Sequence, residues 1–410
     1  MTDLYKNRPA RSGRARKDIE MNNITDTVFY VGVNDHKLDL FEGQYIVPEG
    51  MAYNSYVIRA GKSAVMDSVD KGFTQEWIEN VKEALGGGAP DYLVVQHMEP
   101  DHSGSITAFM KAFPATQIVS SAKAFEMMKN FFGTGYEDRR VVVGDGGELD
   151  LLGRKLTFVA APMVHWPEVI MTYDPEDKIF FSADAFGKFG ALDSEDEDWA
   201  CEARRYYFGI VGKYGAQVQK LLEKAKTLDI AVICPLHGPV LDKDLNYYLD
   251  LYNTWSSYGV ETDGILINFT SVYGNTLKAV NLLADKLLDY GAPKVVVNDL
   301  ARSDMAECVE DAFRYGKMVL ATTTYNGEIF PFMREFINHL TERGYKNKTI
   351  GTIENGSWAP MATKIIKKMF EGSKNITFTE NNVSILSAMN EVNEEQIDAL
   401  ARELCEGYEI

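Results

Sequence analysis

Tyr92-Leu93-Val94-Val95-Gln96-His97-Met98-Glu99-Pro100-Asp101-His102 decides the reading of this chain. An apolar run of strand type ends in four metal-ligating side chains, His97, Glu99, Asp101 and His102, within six residues. A strand end delivers imidazoles and carboxylates together to one sheet edge, which is how a metal site is built on a rigid element. The competing reading is a solvated turn whose acids cap a helix beginning near Gly104. Two imidazoles in the same turn argue against it. Sites of His and Cys suit zinc, whereas carboxylates are hard donors, so Glu99 and Asp101 tilt the choice towards iron.

Only six histidines occur in the chain: His36, His97, His102, His165, His237 and His339. His165 follows the apolar run 158–164, and His237 follows the run 230–236. Between them, the run 179–183 leads to Asp184. Taken singly, each histidine reads equally as a hydrogen-bonded core residue and Asp184 as a helix cap. Together with the six-residue cluster they supply seven ligand side chains, too many for one ion and suited to two.

The order His-x-Glu-x-Asp-His, then His165, Asp184 and His237, resembles the metallo-β-lactamase-like domain of the flavodiiron proteins. Hydrolytic relatives of that fold usually carry His where this chain has Glu99, and they bind zinc. The exchange of nitrogen for oxygen agrees with the separate hardness argument for iron. By this resemblance His97, Glu99 and His165 hold one iron, Asp101, His102 and His237 hold the other, and Asp184 bridges them. The family does not always use the position of His102 as a direct ligand.

From residue 263 onward, strand-like runs alternate with amphipathic segments such as 277–288. The runs are 264–269, 294–297, 318–321, 349–353 and 383–386. Five short β-rich runs separated by helices argue for a parallel sheet covered on both faces, a flavodoxin-like domain. The first run ends in Thr270-Ser271-Val272-Tyr273-Gly274-Asn275-Thr276, immediately before a helix. Hydroxyls, a glycine and a helix N-terminus make a phosphate cradle without Lys or Arg. A nucleotide P-loop needs Gly-Lys-Ser or Gly-Lys-Thr, and a dinucleotide fold needs Gly-x-Gly-x-x-Gly. The loop looks like the FMN phosphate loop of flavodoxins; the competing reading is a hydroxyl-rich turn. The third run ends in a loop over 322–327, with Thr324, Tyr325, Asn326 and Gly327, and the fourth in 354–358, with Gly356, Ser357 and Trp358. Both lie at strand carboxyl ends, where such sheets bind ligand. Tyr325 and Trp358 offer flat faces to a flavin ring.

The expected architecture is α/β: an αββα sandwich of the metallo-β-lactamase type over 21–258, then a doubly wound parallel sheet over 260–410. The 410 residues, 45% hydrophobic, are ample for two such domains. The first twenty residues carry Lys6, Arg8, Arg11, Arg14, Arg16 and Lys17 against Asp3, Asp18 and Glu20, a basic arm expected to be disordered, with Met21 as an alternative start. Four scattered cysteines form no Cys-x-x-Cys pair, which excludes a disulfide framework and a fused rubredoxin module. A formal charge of −18 argues against nucleic-acid binding. No long apolar run or signal pattern suggests a membrane span or export, so a cytoplasmic location is expected. The segment 193–226 reads as helical connection without chemistry, with Arg204 and Arg205 on a solvated face.

The resemblance implies an oxidoreductase that reduces dioxygen to water, nitric oxide to nitrous oxide, or both, using two iron ions and FMN. It further implies a head-to-tail homodimer or a dimer of dimers, and an external donor such as a rubredoxin or a reduced deazaflavin. Trp166 beside His165 would help to shape the pocket. Two rival readings are a zinc hydrolase carrying a flavodoxin-like regulatory module, and a plain flavin-binding electron carrier.

Overall fold

The structure is a computed structural model that describes residues 23–194 and 198–408; the basic arm and Met21 lie outside the described residues. Strands Val28–Tyr30, Tyr56–Ile58, Ala64–Met66, Tyr92–Val94, Gln117–Ser121 and Arg140–Val143 form one sheet in that order. The first pairings are antiparallel; from Ala64–Met66 onward they are parallel. A second sheet orders Glu148–Asp150, Lys155–Ala160, Ile170–Asp174, Ile179–Phe181 and Val232–Cys234. The two sheets face each other across a core that includes Tyr56, Met66 and Val94 from one and Phe158, Ile170 and Phe181 from the other.

Helices close the outer faces. Trp77, Ile78 and Val81 of Thr74–Ala84 and Phe125 and Met128 of Ala122–Phe132 cover the first sheet. Val218 and Leu222 of Gly215–Ala225 and Tyr252 and Trp255 of Leu245–Ser257 cover the second. Strands between a sheet and a helix layer are apolar on both faces, and Tyr92-Leu93-Val94 is buried throughout.

The C-terminal sheet runs Val295–Asp299, Thr262–Phe269, Tyr315–Tyr325, Lys348–Asn355, then the last strand, all parallel. This is the doubly wound 2-1-3-4-5 order, with its switch point beside Thr262–Phe269. Two details differ from the expected pattern. The third strand continues through Tyr325 and turns at Asn326-Gly327 into a hairpin with Glu328–Ile329, so 322–327 is not one loop. Both turn residues have positive φ, the conformation two-residue hairpins require. The last strand is split: Ile376–Phe378 and Val383–Ile385 pair with successive halves of Lys348–Asn355. The short run 376–378 carries too little apolar pattern to be read as a strand alone.

The two halves share one core. Tyr207, Phe208 and Trp255 belong to the same buried cluster as Phe313, Met318 and Tyr345, and Phe208 stacks on Phe313 with centroids 4.1 Å apart. Arg204, expected on a solvated face, is buried at this junction. Its guanidinium donates to Glu261 at 2.7 and 2.8 Å and to Glu310 at 2.7 Å. Arg205 is likewise buried, on Glu202 and the Phe189 ring. The partners of Arg204 stand 57 and 106 residues away, so local sequence could not reveal them. Burial pushes Glu310 up to about 8, although Arg204 beside it pulls the other way. Where the helix Trp199–Tyr206 passes into a π-turn over Tyr207–Val211, Arg343 donates to the Phe208 carbonyl at 2.8 Å, and Tyr45 to the Gly209 carbonyl.

Candidate metal centre and flavin loops

The segment after Tyr92–Val94 is pinned before it reaches the cluster. Asp67 Oδ1 accepts the Gln96 and His97 backbone N–H groups at 2.7 and 3.3 Å, and its Oδ2 accepts the Gln96 side-chain amide at 2.7 Å. One helical turn, Pro100–Ser103, follows, with Glu99 at its start and no side-chain cap. The solvated-turn reading therefore fails: the acids point elsewhere.

They point at the histidines. His97 Nε2 lies 3.3 Å from Glu99 and 3.2 Å from Asp184 Oδ2; His165 Nε2 lies 3.0 and 3.1 Å from the same two carboxylates. On the other side, His102 Nε2 is 3.3 Å from Asp101 and 3.2 Å from Asp184 Oδ1, and His237 Nε2 is 3.3 Å from Asp101. His102 and His237 bring their Nε2 atoms to 2.9 Å. The structure thus gathers all seven sequence-derived residues into two adjoining groups, His97, Glu99, His165 and Asp184, and Asp101, His102 and His237. One oxygen of Asp184 faces each group. His36 and His339 stand apart, on Asp193 and Arg343.

These spacings suit metal ions. Bonds of about 2.0–2.2 Å to one ion set neighbouring donors at right angles about 3 Å apart. Both oxygens of Asp101 are buried without a hydrogen-bond donor, which an interior carboxylate does not tolerate unless a cation serves it. Burial opposes charge on His97, His102 and His165, yet Asp184, Asp101 and Glu99 outweigh it and raise all three, His165 to about 9. A cavity that draws protons so strongly is one that attracts cations.

The far side of two imidazoles is fixed as well. His97 Nδ1 donates to Glu168 at 2.9 Å, and His237 Nδ1 donates to the Ala52 carbonyl at 2.7 Å, so each Nε2 is turned inward. Gly187 lets the chain close: a Cβ there would meet the Asp184 carbonyl at 3.0 Å and His237 at 3.4 Å. Trp166 packs edge-on against His97 at 5.2 Å, and Phe41, Tyr53 and Tyr206 surround His237. The contact of Tyr206 corrects the view of 193–226 as mere connection. Sequence reading missed Glu168, Asp67 and Tyr206. A carboxylate three residues after His165 was the one available hint.

At the C-terminal sheet, the loop 270–276 leads into Asn275–Asp289, whose N-cap Gly274 has φ +86°. Ser271 Oγ accepts the N–H groups of Gly274 and Leu277 at 3.1 and 3.3 Å, folding the loop into a cup. A Cβ on Gly274 would meet nothing within 4 Å, so the cup is open outward, and the Thr276 hydroxyl is buried without a partner. An anion with acceptor oxygens fits these groups. Tyr273 is 93% exposed and Trp358 91%, while Thr324 Oγ1 accepts the Met361 N–H at 2.8 Å and ties the third and fourth loops together.

A family model described as ODP family beta lactamase matches residues 51–238. Over 95% of this chain and 97% of the other, the fold superposes on the crystal structure of the flavodiiron protein from Giardia intestinalis with a TM-score of 0.87 and 26% identity. The chain belongs to the flavodiiron protein family. The nitric oxide reductase of Moorella thermoacetica is 28% identical over 86% of this chain and 90% of its own length. The rubredoxin:oxygen oxidoreductase from Desulfovibrio gigas has the same fold, with a TM-score of 0.87 at 24% identity over 94% of this chain and 98% of that one. In this flavodiiron protein Glu99 sets an oxygen donor against His97 and His165, at 3.3 and 3.0 Å.

Proposed function

We propose that this flavodiiron protein is an oxidoreductase that passes electrons from an external donor through FMN to a diiron site, where dioxygen is reduced to water, nitric oxide to nitrous oxide, or both. The observation that carries the reading is Asp184, with Oδ2 3.1–3.2 Å from His165 and His97 and Oδ1 3.2 Å from His102. A buried carboxylate shared in this way is built to bridge two ions. His97, Glu99 and His165 would hold one, and Asp101, His102 and His237 the other. When bound, two ferrous ions and reduced FMN hold the four electrons that turn dioxygen into two waters, more than two nitric oxide molecules need.

The residues themselves orient and exclude. Glu168 and the Ala52 carbonyl keep their imidazoles protonated on the outer nitrogen and free on the inner one. Trp166, Phe41, Tyr53 and Tyr206 keep water from the ligands. The cup at 270–276 would take the FMN phosphate, and Thr324, Tyr325, Asn326, Gly327, Gly356, Ser357 and Trp358 would border its ring. The exposed faces of Tyr273 and Trp358 support a head-to-tail homodimer, in which the flavin of one subunit meets the metals of its partner. Among the described residues no helix is long and apolar enough to cross a membrane, and a cytoplasmic location fits this.

Anaerobic purification with metal and flavin quantitation tests the reading. Iron and FMN in a two-to-one ratio, with donor-driven consumption of dioxygen or nitric oxide, is the expected result. Two zinc ions per chain with hydrolysis of a thioester or phosphodiester would overturn it in favour of the hydrolase. Dilution to monomers should abolish donor-driven turnover if the dimer is as proposed.

A further inference from the structure

On the helix Leu245–Ser257, Tyr248, Tyr252 and Trp255 stand at i, i+4 and i+7 and share one face. The inner end of this stripe meets the metal centre. Two residues after Asp184, Phe186 donates its backbone N–H to the Tyr252 hydroxyl and stacks on the Tyr252 ring with centroids 4.2 Å apart. The Tyr252 ring lies 5.4 Å from Trp255, Trp255 lies 6.1 Å from Trp199 with planes 12° apart, and Trp199 lies 4.7 Å from Tyr248. Tyr247, 5.3 Å from Tyr248, is 49% exposed and ends the series in water. Leu or Phe would pack as well, yet between Phe186 and solvent every ring of the series is Tyr or Trp. These are the ring side chains that can lose one electron and regain it. Trp255 also has a place for its proton: its indole N–H donates to Glu261 at 2.6 Å, and that carboxylate favours positive charge on the ring.

We propose that this series is a relay that brings electrons to the metal centre from the surface when the flavin has none, and so discharges oxidising equivalents that would otherwise attack the pocket. The inference rests on the diiron oxygen-reductase reading. Dioxygen taken up while the flavin is oxidised finds two electrons on two ferrous ions and needs four to become two waters. Trp255 gives one electron inward by way of the Tyr252 and Phe186 rings, and its indole proton passes to Glu261. Trp199, Tyr248 and Tyr247 refill it in turn, each losing the electron that the ring before it gains, and the proton returns from Glu261 to Trp255. Tyr247, its phenol proton released to water, takes an electron and a proton from a small thiol. After two passages, one dioxygen, two ferrous ions, two thiols and two solvent protons have become two waters, two ferric ions and one disulfide.

The test treats the iron-loaded, flavin-oxidised holoenzyme with hydrogen peroxide, an oxidant two electrons short of water, beside a nitroso spin trap, and maps the adducts by peptide mass spectrometry. Adducts are expected on Tyr247 or Tyr248. Trp199→Phe keeps a ring in the stack and removes its ability to pass an electron. Those adducts should then fall to the level of zinc-loaded protein, where only solution chemistry operates, while oxidation of Trp166 and Tyr206 beside the histidines rises. Donor-driven turnover with the flavin kept reduced should not change. Without the trap, the wild type should oxidise two small thiols for each peroxide consumed, a coupling that both Trp199→Phe and the surface variant Tyr247→Phe/Tyr248→Phe lose. Equal labelling of Tyr247 in wild type and Trp199→Phe would overturn the proposal. So would thiol coupling that survives in the surface variant, or an iron-loaded wild type labelled only in the metal pocket. A chain that takes up no iron at all would instead sink the diiron reading, and the relay with it.

Discussion

Around Asp184 six other side chains converge in a closed interior, whereas around Gly274 and Trp358 the candidate contacts stand at the surface. The metal region is arranged through sequence-distant hydrogen bonds such as His97 to Glu168 and His237 to Ala52. The flavin region is made of short loops at the ends of adjacent parallel strands, organised by local bonds such as Ser271 to Gly274. Ions demand donors fixed to fractions of an ångström, which only a packed interior supplies. A large flat cofactor needs faces and an edge, and a surface covered by another body can provide them. Enclosed on one side and open on the other, the two regions would, on the proposed reading, divide binding of metals from exchange of electrons.

The sharpest way to break that contrast is Asp184→Ala. With the shared carboxylate gone, metal analysis should show loss of at least one ion per chain and of gas-reductase activity, while FMN content stays unchanged. Loss of both cofactors together would show that the regions are not separately built. Arg204→Met attacks the junction between them. It leaves Glu310 without its cation and Glu261 with only the Trp255 indole N–H and Arg314, and breaking a buried pair in this way costs about 3–5 kcal/mol, read as a lower midpoint in urea. Adding Glu310→Leu should recover part of that loss.

Lys348 probes the same junction through pH. Its ammonium donates to the Phe313 carbonyl at 2.8 Å and the Gly259 carbonyl at 3.2 Å, and burial lowers it from the usual 10.5 to about 8. Between these values the unfolded chain binds the extra proton, so this group makes stability rise with pH across that window. Below pH 8 both states are charged and the full cost, about 3 kcal/mol at most, is present. The stability of the wild type relative to Lys348→Met should therefore increase from pH 8 to 10; a flat difference would refute the assignment.

Smaller effects sharpen the comparison. Glu168→Gln leaves the seven ligands intact and removes the charged acceptor behind His97, so iron affinity should fall about 10- to 100-fold with the fold unchanged. Trp358→Ala on the open side should weaken FMN by roughly 0.5–1.5 kcal/mol, a few-fold to tenfold in Kd. An FMN affinity that does not move would take Trp358 away from the ring.

Much of the site was legible because its chemistry is local. Six residues from His97 to His102 carry four donors, and His165, Asp184 and His237 each close an apolar run. The loop before Asn275–Asp289 was equally readable, since hydroxyls and a glycine between a strand and a helix have a mechanical meaning. Arg204 was misread because an arginine beside a tyrosine on a helix looks the same whether water or Glu310 faces it. Ile376–Phe378 was missed because a three-residue strand is defined by its neighbour more than by its own pattern.

The order of residues alone determined which donors exist, that oxygen accompanies nitrogen at Glu99, and that strands and helices alternate after residue 263. Those are properties of side-chain chemistry and of periodicity, written along the chain. Tertiary structure alone decided that Asp184 offers one oxygen to each histidine group, that Glu168 stands behind His97, and that Arg204 ties the halves together. Each depends on residues brought from far apart in sequence to within about 3 Å, a distance set by packing and not by spacing along the backbone.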